Sequence, residues 1–114
     1  MKKLKGPPGG TGGNLSKKKT AGFILKLYIA GNESNSRRAV EVVREICRQN
    51  LGQNYDLRII DVFKDFNSAL QDKVLVAPTL VWLKKGGPAY LIGNFTRQRL
   101  LEFLGLPERA GGEK

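Results

Sequence analysis

The sequence of 114 residues contains no histidine and a single cysteine, Cys47. Without histidine, the chain lacks the commonest general base, the usual partner of a serine or cysteine nucleophile, and a major metal ligand. One cysteine cannot form an internal disulfide or exchange one through a local dithiol. The aspartates are also too widely separated to match a metal-binding loop. We therefore predict a protein that is not an enzyme, with no catalytic residue, no metal site and no cofactor.

Long apolar runs are absent as well. No stretch approaches the roughly 18 apolar residues of a transmembrane helix. The Lys-rich N-terminus lacks the apolar central segment of a secretory signal. The hydrophobic fraction of 40% is enough for one modest core. We expect one small cytoplasmic domain that makes no contact with a membrane.

The net charge of +10 is unevenly distributed along the chain. Residues 1–21 hold six lysines and no acidic residue, whereas residues 22–105 hold twelve basic and eight acidic residues. The first segment is rich in Lys, Gly and Pro, a composition that predicts disorder. It has no aromatic residue to stack on bases. We predict a disordered basic tail at residues 1–21, a folded domain at 22–106 and a flexible tail at 107–114. A solubilising role for the basic tail is favoured, with nucleic-acid binding as the alternative.

Apolar periodicity predicts a βαβ unit in the first half. Residues 23–30 form an apolar run with one charge, Lys26, about the length of a strand covered on both faces. Asn35 and Ser36 both suit a helix N-cap, and apolar residues then recur at positions 39, 42, 43, 46 and 47. The six charged residues between positions 37 and 48 are expected to face solvent. Residues 55–63 form a second strand, so the helix allows a right-handed parallel crossover.

In the second half of the sequence, residues typical of turns and helix caps mark where the predicted elements begin and end. Residues 67–74 can form a short helix with Asn67 as its cap. Pro78 cannot donate a ladder hydrogen bond and suits the start of a strand over 79–83. A turn over 84–88 leads to a return strand over 89–92. Thr96 can cap a last helix, which Gly105 ends. The predicted order is βαβαββα in a single α/β domain.

This order, with its Pro-Thr strand start, is typical of a thioredoxin-like domain. Such a domain carries a Cys-x-x-Cys motif before its first helix, roughly where Glu33 and Ser36 stand here. Neither residue can form a disulfide, so we predict no oxidoreductase activity. A thioredoxin-like fold also has a cis proline before the strand opposite this loop, and we therefore predict a cis bond before Pro78.

Five short motifs carry a family resemblance, in register without a gap up to Leu80. They are residues 27–32 (Leu-Tyr-Ile-Ala-Gly-Asn), 35–39 (Asn-Ser-Arg-Arg-Ala), 59–62 (Ile-Ile-Asp-Val), 72–80 (Asp-Lys-Val-Leu-Val-Ala-Pro-Thr-Leu) and 92–94 (Ile-Gly-Asn). On these motifs the chain resembles the KaiB family, small bacterial clock proteins that bind the ring ATPase KaiC. The resemblance implies a protein-binding module that docks on a KaiC-type ATPase in circadian-clock regulation, with KaiA-like and SasA-like proteins as further partners. A KaiB paralogue in stress adaptation or signalling, without a clock role, is the alternative.

The resemblance also implies a choice between two folds. KaiB proteins adopt a thioredoxin-like form that docks on KaiC, and a βαββααβ form that assembles as a tetramer. Here the family's Pro-Pro-Pro turn is replaced by Lys-Lys-Gly-Gly-Pro, a proline after the second strand by Phe66, and the aspartate of Ile-Gly-Asp by Asn94. Consecutive prolines resist strand pairing, whereas Lys-Gly-Gly favours a hairpin. We therefore favour a thioredoxin-like monomer, with the tetrameric βαββααβ form as the alternative.

Four basic residues are candidates for contact with the ATPase ring. We assign this role to Arg37 and Arg38 at the helix start, Lys64 after the second strand and Lys73 before the Pro-Thr strand. Lys73 falls inside a matched motif of the resemblance. The alternative for each of them is an ordinary surface charge.

Overall fold

The computed structural model describes residues 22–107, and its elements follow the predicted order βαβαββα. The strands are β1 (Phe23–Ile29), β2 (Tyr55–Asp61), β3 (Thr79–Lys84) and β4 (Gly87–Ile92). The helices are α1 (Ser34–Asn50), α2 (Phe66–Gln71) and α3 (Arg97–Leu104). The second half therefore does not have the βαββααβ arrangement. The predicted tail at residues 1–21, and all but the first residue of the predicted tail at 107–114, lie outside the described residues.

The four strands form one sheet in the order β2-β1-β3-β4. Strand β2 runs parallel to β1, as a crossover through α1 requires, and β3 runs antiparallel to both β1 and β4. The apolar run of the first strand is explained by its place, because β1 has a neighbour on each edge and helices on both faces. The parallel ends of β1 and β2 meet at one edge of the sheet, next to the start of β3 at Thr79.

Side chains alternate between two cores, one on each face of the sheet. The larger core lies between the sheet and helices α1 and α3, and its best-buried members include Leu25, Leu27, Val43, Ile46 and Leu100. The smaller core lies under α2 and consists of Tyr28, Ile60, Ala69, Val74 and Val81. The period-2 alternation of strand side chains accounts for this division, since Leu27 and Tyr28 are neighbours in the chain but face opposite ways.

The predicted hairpin between the last two strands is present. Strands β3 and β4 pair antiparallel from Thr79 and Ile92 to Lys84 and Gly87, so that only Lys85 and Gly86 remain in the turn. Gly86 has φ +95°, in the left-handed region that glycine adopts without a steric penalty. The strands extend slightly beyond the predicted 79–83 and 89–92, because the short turn allows pairing to continue to its edge.

Three further elements have boundaries that differ from the prediction. Helix α1 begins earlier than predicted, and its N-cap is Glu33 rather than Asn35 or Ser36. Strand β2 ends at Asp61 instead of residue 63, because the Asp61 side chain accepts hydrogen bonds from the backbone N–H groups of Gly31 and Phe63. Helix α2 spans 66–71 instead of 67–74, and its cap is Asp65 instead of Asn67. Thr96 and Gly105 cap α3 as predicted. Within residues 22–107, no helix is long and apolar enough to cross a membrane.

Candidate partner-docking surface

The loop before α1 is held by hydrogen bonds of its own. The Glu33 carboxylate accepts a hydrogen bond from the Ser36 backbone N–H at 3.0 Å. The buried Ser36 hydroxyl accepts one from the Ala30 N–H at 2.9 Å. These two residues therefore start the helix and close the loop, in place of a reactive cysteine pair. The thiol of Cys47 lies elsewhere, fully buried among apolar side chains, and this burial raises its pKa to about 12.

Asp61 joins the loops that follow β1 and β2. One of its carboxylate oxygens accepts hydrogen bonds from the Gly31 N–H at 3.1 Å and from the Phe63 N–H at 2.9 Å. Gly31 has φ +55°, and a Cβ atom there would lie 3.2 Å from the Phe63 ring. Glycine is therefore favoured at this position by its conformation, and a larger residue would also displace the Phe63 ring slightly. The Phe63 ring thus lies beside the first loop while remaining 77% exposed.

Exposed apolar side chains concentrate on the segment that contains α2. Leu75 is 89% exposed, and more than half of the surface of Phe66, Leu70 and Val76 is open to solvent. Phe66 and Leu70 are four residues apart on α2 and so lie on the same side of the helix. We call the set Phe63, Phe66, Leu70, Leu75 and Val76 the α2 surface. Single exposed apolar residues are ordinary, whereas larger exposed apolar patches are typical of interaction sites, which makes the α2 surface a candidate.

The basic residues assigned from the sequence divide into two groups. Arg37 and Arg38 are exposed in the first turns of α1, where they line an open polar groove. Lys64 is exposed next to Phe63, and its backbone N–H donates to the Asp61 carbonyl at 2.9 Å. These three residues follow the parallel ends of β1 and β2 and thus lie at the same edge of the sheet. Lys73 is also exposed, but it lies at the far end of α2.

A cluster of polar contacts attaches that far end of α2 to the sheet. The Asp72 carboxylate accepts hydrogen bonds from the Tyr28 hydroxyl and, at 3.1 Å, from the Lys26 ammonium group, both on β1. The backbone carbonyl of Asp72 accepts a hydrogen bond from the Tyr90 hydroxyl on β4 at 2.7 Å. The Tyr28 hydroxyl also lies 3.2 Å from the Ser68 carbonyl. Burial, followed by the hydrogen bond to Asp72, raises the pKa of Tyr28 well above its usual range. We call these contacts the Asp72 clamp.

Sequence reasoning missed most of the clamp. It noted Lys26 only as a lone charge in an apolar strand, and it attributed Asp72 to a motif without a structural role. A charge inside a run destined for burial was a usable signal, because such a charge requires a partner. The partner could not be located from the sequence alone, since it is 46 residues away.

Pro78 is buried and follows a cis peptide bond, the isomer expected from the sequence. Its carbonyl accepts a hydrogen bond from the Gly93 N–H at 3.1 Å. The Thr79 hydroxyl donates to the Val76 carbonyl at 2.7 Å. Pro78 thus fixes the course of the chain between the exposed Val76 and strand β3, and its own side chain is not part of the exposed surface.

Comparison with known proteins identifies relatives across most of the described domain. The KaiB domain family model matches residues 26–105. The chain is 41% identical over 88 residues to a circadian clock oscillator protein KaiB of Prochlorococcus marinus, covering 76% of this chain and 74% of the relative. It is 40% identical over 80 residues to the KaiB protein of Trichodesmium erythraeum, covering 69% of this chain and 77% of the relative.

Solved structures share the fold at low sequence identity. The N-terminal domain of SasA from Synechococcus elongatus superposes with a TM-score of 0.63 at 21% identity, covering 74% of this chain and 80% of that domain. The germline-specific thioredoxin Deadhead of Drosophila melanogaster superposes with a TM-score of 0.67 at 18% identity, covering 81% of this chain and 86% of the thioredoxin. The prediction of a thioredoxin-like fold is thereby confirmed.

Proposed function

This chain belongs to the KaiB family, and we propose that it is a non-enzymatic, cytoplasmic module of circadian-clock regulation that docks on a KaiC-type ring ATPase. The names of its relatives support the clock assignment, since they are circadian clock oscillator proteins. In this proposal the chain acts as a thioredoxin-like monomer. KaiA-like and SasA-like proteins are further partners in this proposal, and the chain shares its fold with the N-terminal domain of SasA.

The observation that carries the proposal is the α2 surface. Its five large apolar side chains are all more than half exposed, and none of them belongs to either of the two cores. Burying about 100 Å² of apolar surface per side chain on a partner contributes roughly 2.5 kcal/mol each before the entropy of association is subtracted. Phe63 and Phe66 are the strongest candidates, because aromatic residues are enriched at the centres of interfaces.

In the proposed interface, basic residues place positive charge around the α2 surface. We assign Arg37, Arg38, Lys64 and Lys73 to the rim of the interface, where charges mainly set the association rate and its salt dependence. Lys64 is adjacent in sequence to Phe63, and Arg37 and Arg38 lie at the same sheet edge. The matching surface of the ATPase is expected to combine apolar and acidic residues.

The experiment measures the affinity of a purified KaiC-type ring ATPase for the wild-type chain and for Phe66→Asp. Phe66 is the first residue of α2 and is 63% exposed, so an aspartate there faces water and suits the helix N-terminus. The variant should remain folded and bind about 100-fold more weakly, as expected for an interface hot spot. A charge-reversed Lys85→Glu, in the hairpin turn at the opposite end of β3 from Thr79, is the matched control and should bind like the wild type. Wild-type binding by Phe66→Asp would refute the assigned surface.

A further inference from the structure

Lys73 has a backbone conformation that lysine rarely adopts. Its φ of +61° places it in the left-handed region, and it is the only residue other than glycine to do so among residues 22–107. The N–H of Val74 donates to the Ala69 carbonyl at 2.8 Å, and the N–H of Lys73 donates to the Leu70 carbonyl at 3.1 Å. This pair of hydrogen bonds is a Schellman motif, in which the left-handed position is usually glycine. Lysine therefore occupies a position at which glycine would be the more stable choice.

The strained turn is also held firmly in place. Directly before Lys73, the Asp72 clamp attaches the chain to β1 through Lys26 and Tyr28, and to β4 through Tyr90. Directly after it, Val74 is buried in the smaller core. The backbone of Lys73 is thus fixed on both sides while its side chain is exposed. Strained residues held by their surroundings in this way are concentrated at binding sites.

The free charge at the Lys73 end of the α2 surface is positive, because the neighbouring Asp72 is paired with Lys26. The Asp65 carboxylate lies at the other end of α2, where it accepts hydrogen bonds from Ser68 and stays negatively charged. Lys64 and Lys73 have no ion pair with any residue that the structure describes. A partner that covers Leu75 and Val76 therefore meets an unpaired ammonium group at Lys73, and its complement is a carboxylate.

We propose that Lys73 is kept in a strained backbone because its ammonium group, positioned by the Asp72 clamp, binds a carboxylate on an acidic face of the partner. This inference rests on the proposed docking function and adds to it the chemistry of one contact. It implies that stability and binding are opposed at this residue. Glycine at position 73 is better for the fold and worse for the complex.

The test compares Lys73→Gly, Lys73→Arg and the wild type by thermal unfolding and by binding to a purified KaiC-type ring ATPase. Lys73→Gly should raise the melting temperature by about 4 °C, because it relieves the left-handed conformation. The same change should weaken binding about tenfold and make it less sensitive to NaCl, because an ionic contact is lost. Lys73→Arg retains both the charge and the strain, and should bind within about twofold of the wild type. Lys85→Gly removes a lysine from the remote hairpin turn and should leave binding and its salt dependence unchanged.

Two results would overturn the inference. If Lys73→Gly is more stable and still binds with wild-type affinity and salt dependence, the strained lysine has no role in docking. The docking proposal then survives provided that Phe66→Asp weakens binding about 100-fold as expected. If Lys73→Gly does not gain stability, the position is not strained and the opposition between stability and binding is refuted. A wild-type chain that fails to bind the ATPase at all would refute both proposals together.

Discussion

The hydroxyl of Tyr28 and the carboxylate of Asp72 are hydrogen-bonded beneath α2, although the two residues are 44 positions apart in the chain. Tyr28 is completely buried in the smaller core. Its hydroxyl is, with the Lys26 ammonium group, one of the two polar groups through which β1 attaches to Asp72 at the end of α2. The contact attaches the end of α2, in the second half of the domain, to β1 in the first half. It also fixes the strained turn from which Lys73 projects.

Loss of this contact should lower stability. Tyr28→Phe retains the ring but leaves the Asp72 carboxylate with Lys26 as its remaining side-chain partner, and we expect the free energy of unfolding to fall by about 1–2 kcal/mol. Tyr90→Phe removes an exposed hydroxyl that bonds the same residue, and should lower it by only about 0.5 kcal/mol. Urea unfolding followed by circular dichroism measures both. Equal losses of unfolding free energy in the two variants would contradict the larger contribution assigned to the Tyr28 hydroxyl.

The thiol of Cys47 should be unreactive in the folded chain. Its pKa is raised to about 12 by burial, so almost no thiolate exists at pH 8. We expect no reaction with an aromatic disulfide reagent at pH 8 in buffer, and stoichiometric reaction in concentrated urea. Rapid labelling of the native protein would show that the helix opens readily or that the thiol is accessible. Either result would remove the argument against thiol chemistry.

The same shift predicts a loss of stability in alkali. The folded chain retains the thiol proton at pH values where the unfolded chain, with a pKa of about 8.5, has released it. The contribution of Cys47 to stability is therefore complete below that value and is lost as the pH rises towards 12. Tyr28, whose pKa is also raised, acts in the same direction. Unfolding measured between pH 8 and 11 should show a decline that is shallower in Cys47→Ala. An identical slope in the variant would contradict the assigned pKa.

The start of α1 provides a test of the revised cap. Glu33→Ala should lower the free energy of unfolding by about 1 kcal/mol, because the Ser36 N–H loses its acceptor. Asn35→Ala changes an exposed residue inside the helix, and should leave stability within about 0.5 kcal/mol of the wild type. A larger loss of stability in Asn35→Ala than in Glu33→Ala would show that Asn35 is the N-cap, as the sequence predicted.

The fold was largely predictable because its determinants are local. The apolar run of β1, the helical spacing of α1 and the glycines of the hairpin each act within a few residues. The caps were harder to predict, because Asn35 and Ser36 both have the residue type of a cap. Ser36 instead turns its hydroxyl back to Ala30, which leaves Glu33 as the acceptor at the helix start.

The candidate site was predicted less well than the fold. The role of the four basic residues stays a prediction, and nothing local indicated that Lys73 adopts a left-handed backbone, since that position usually carries glycine or asparagine. The α2 surface was also missed. The sequence shows that Leu75 and Val76 are apolar, but whether a short segment between Asp72 and Pro78 is buried depends on the strands it crosses, and those contacts are non-local.

Residues 1–21 should be dispensable for docking in this account. A chain that begins at Gly22 should bind the ATPase within about twofold of the full-length protein, since the proposed contacts all lie between residues 37 and 76. Calorimetry on the two chains at the same salt concentration checks this, because six lysines contribute a strongly salt-dependent attraction to any polyanion. Loss of binding on truncation, together with tight binding of the full chain to single-stranded RNA, would favour the nucleic-acid alternative.

Hydrogen–deuterium exchange of the chain, alone and saturated with a KaiC-type ring ATPase, tests the docking surface most directly. Bound ATPase should slow exchange in peptides covering residues 63–76 and the first turn of α1. Exchange should not change in the hairpin turn at Lys85 and Gly86, which lies away from the proposed contacts. Protection confined to the hairpin or to the tail, with residues 63–76 exchanging as in the free protein, would contradict the account.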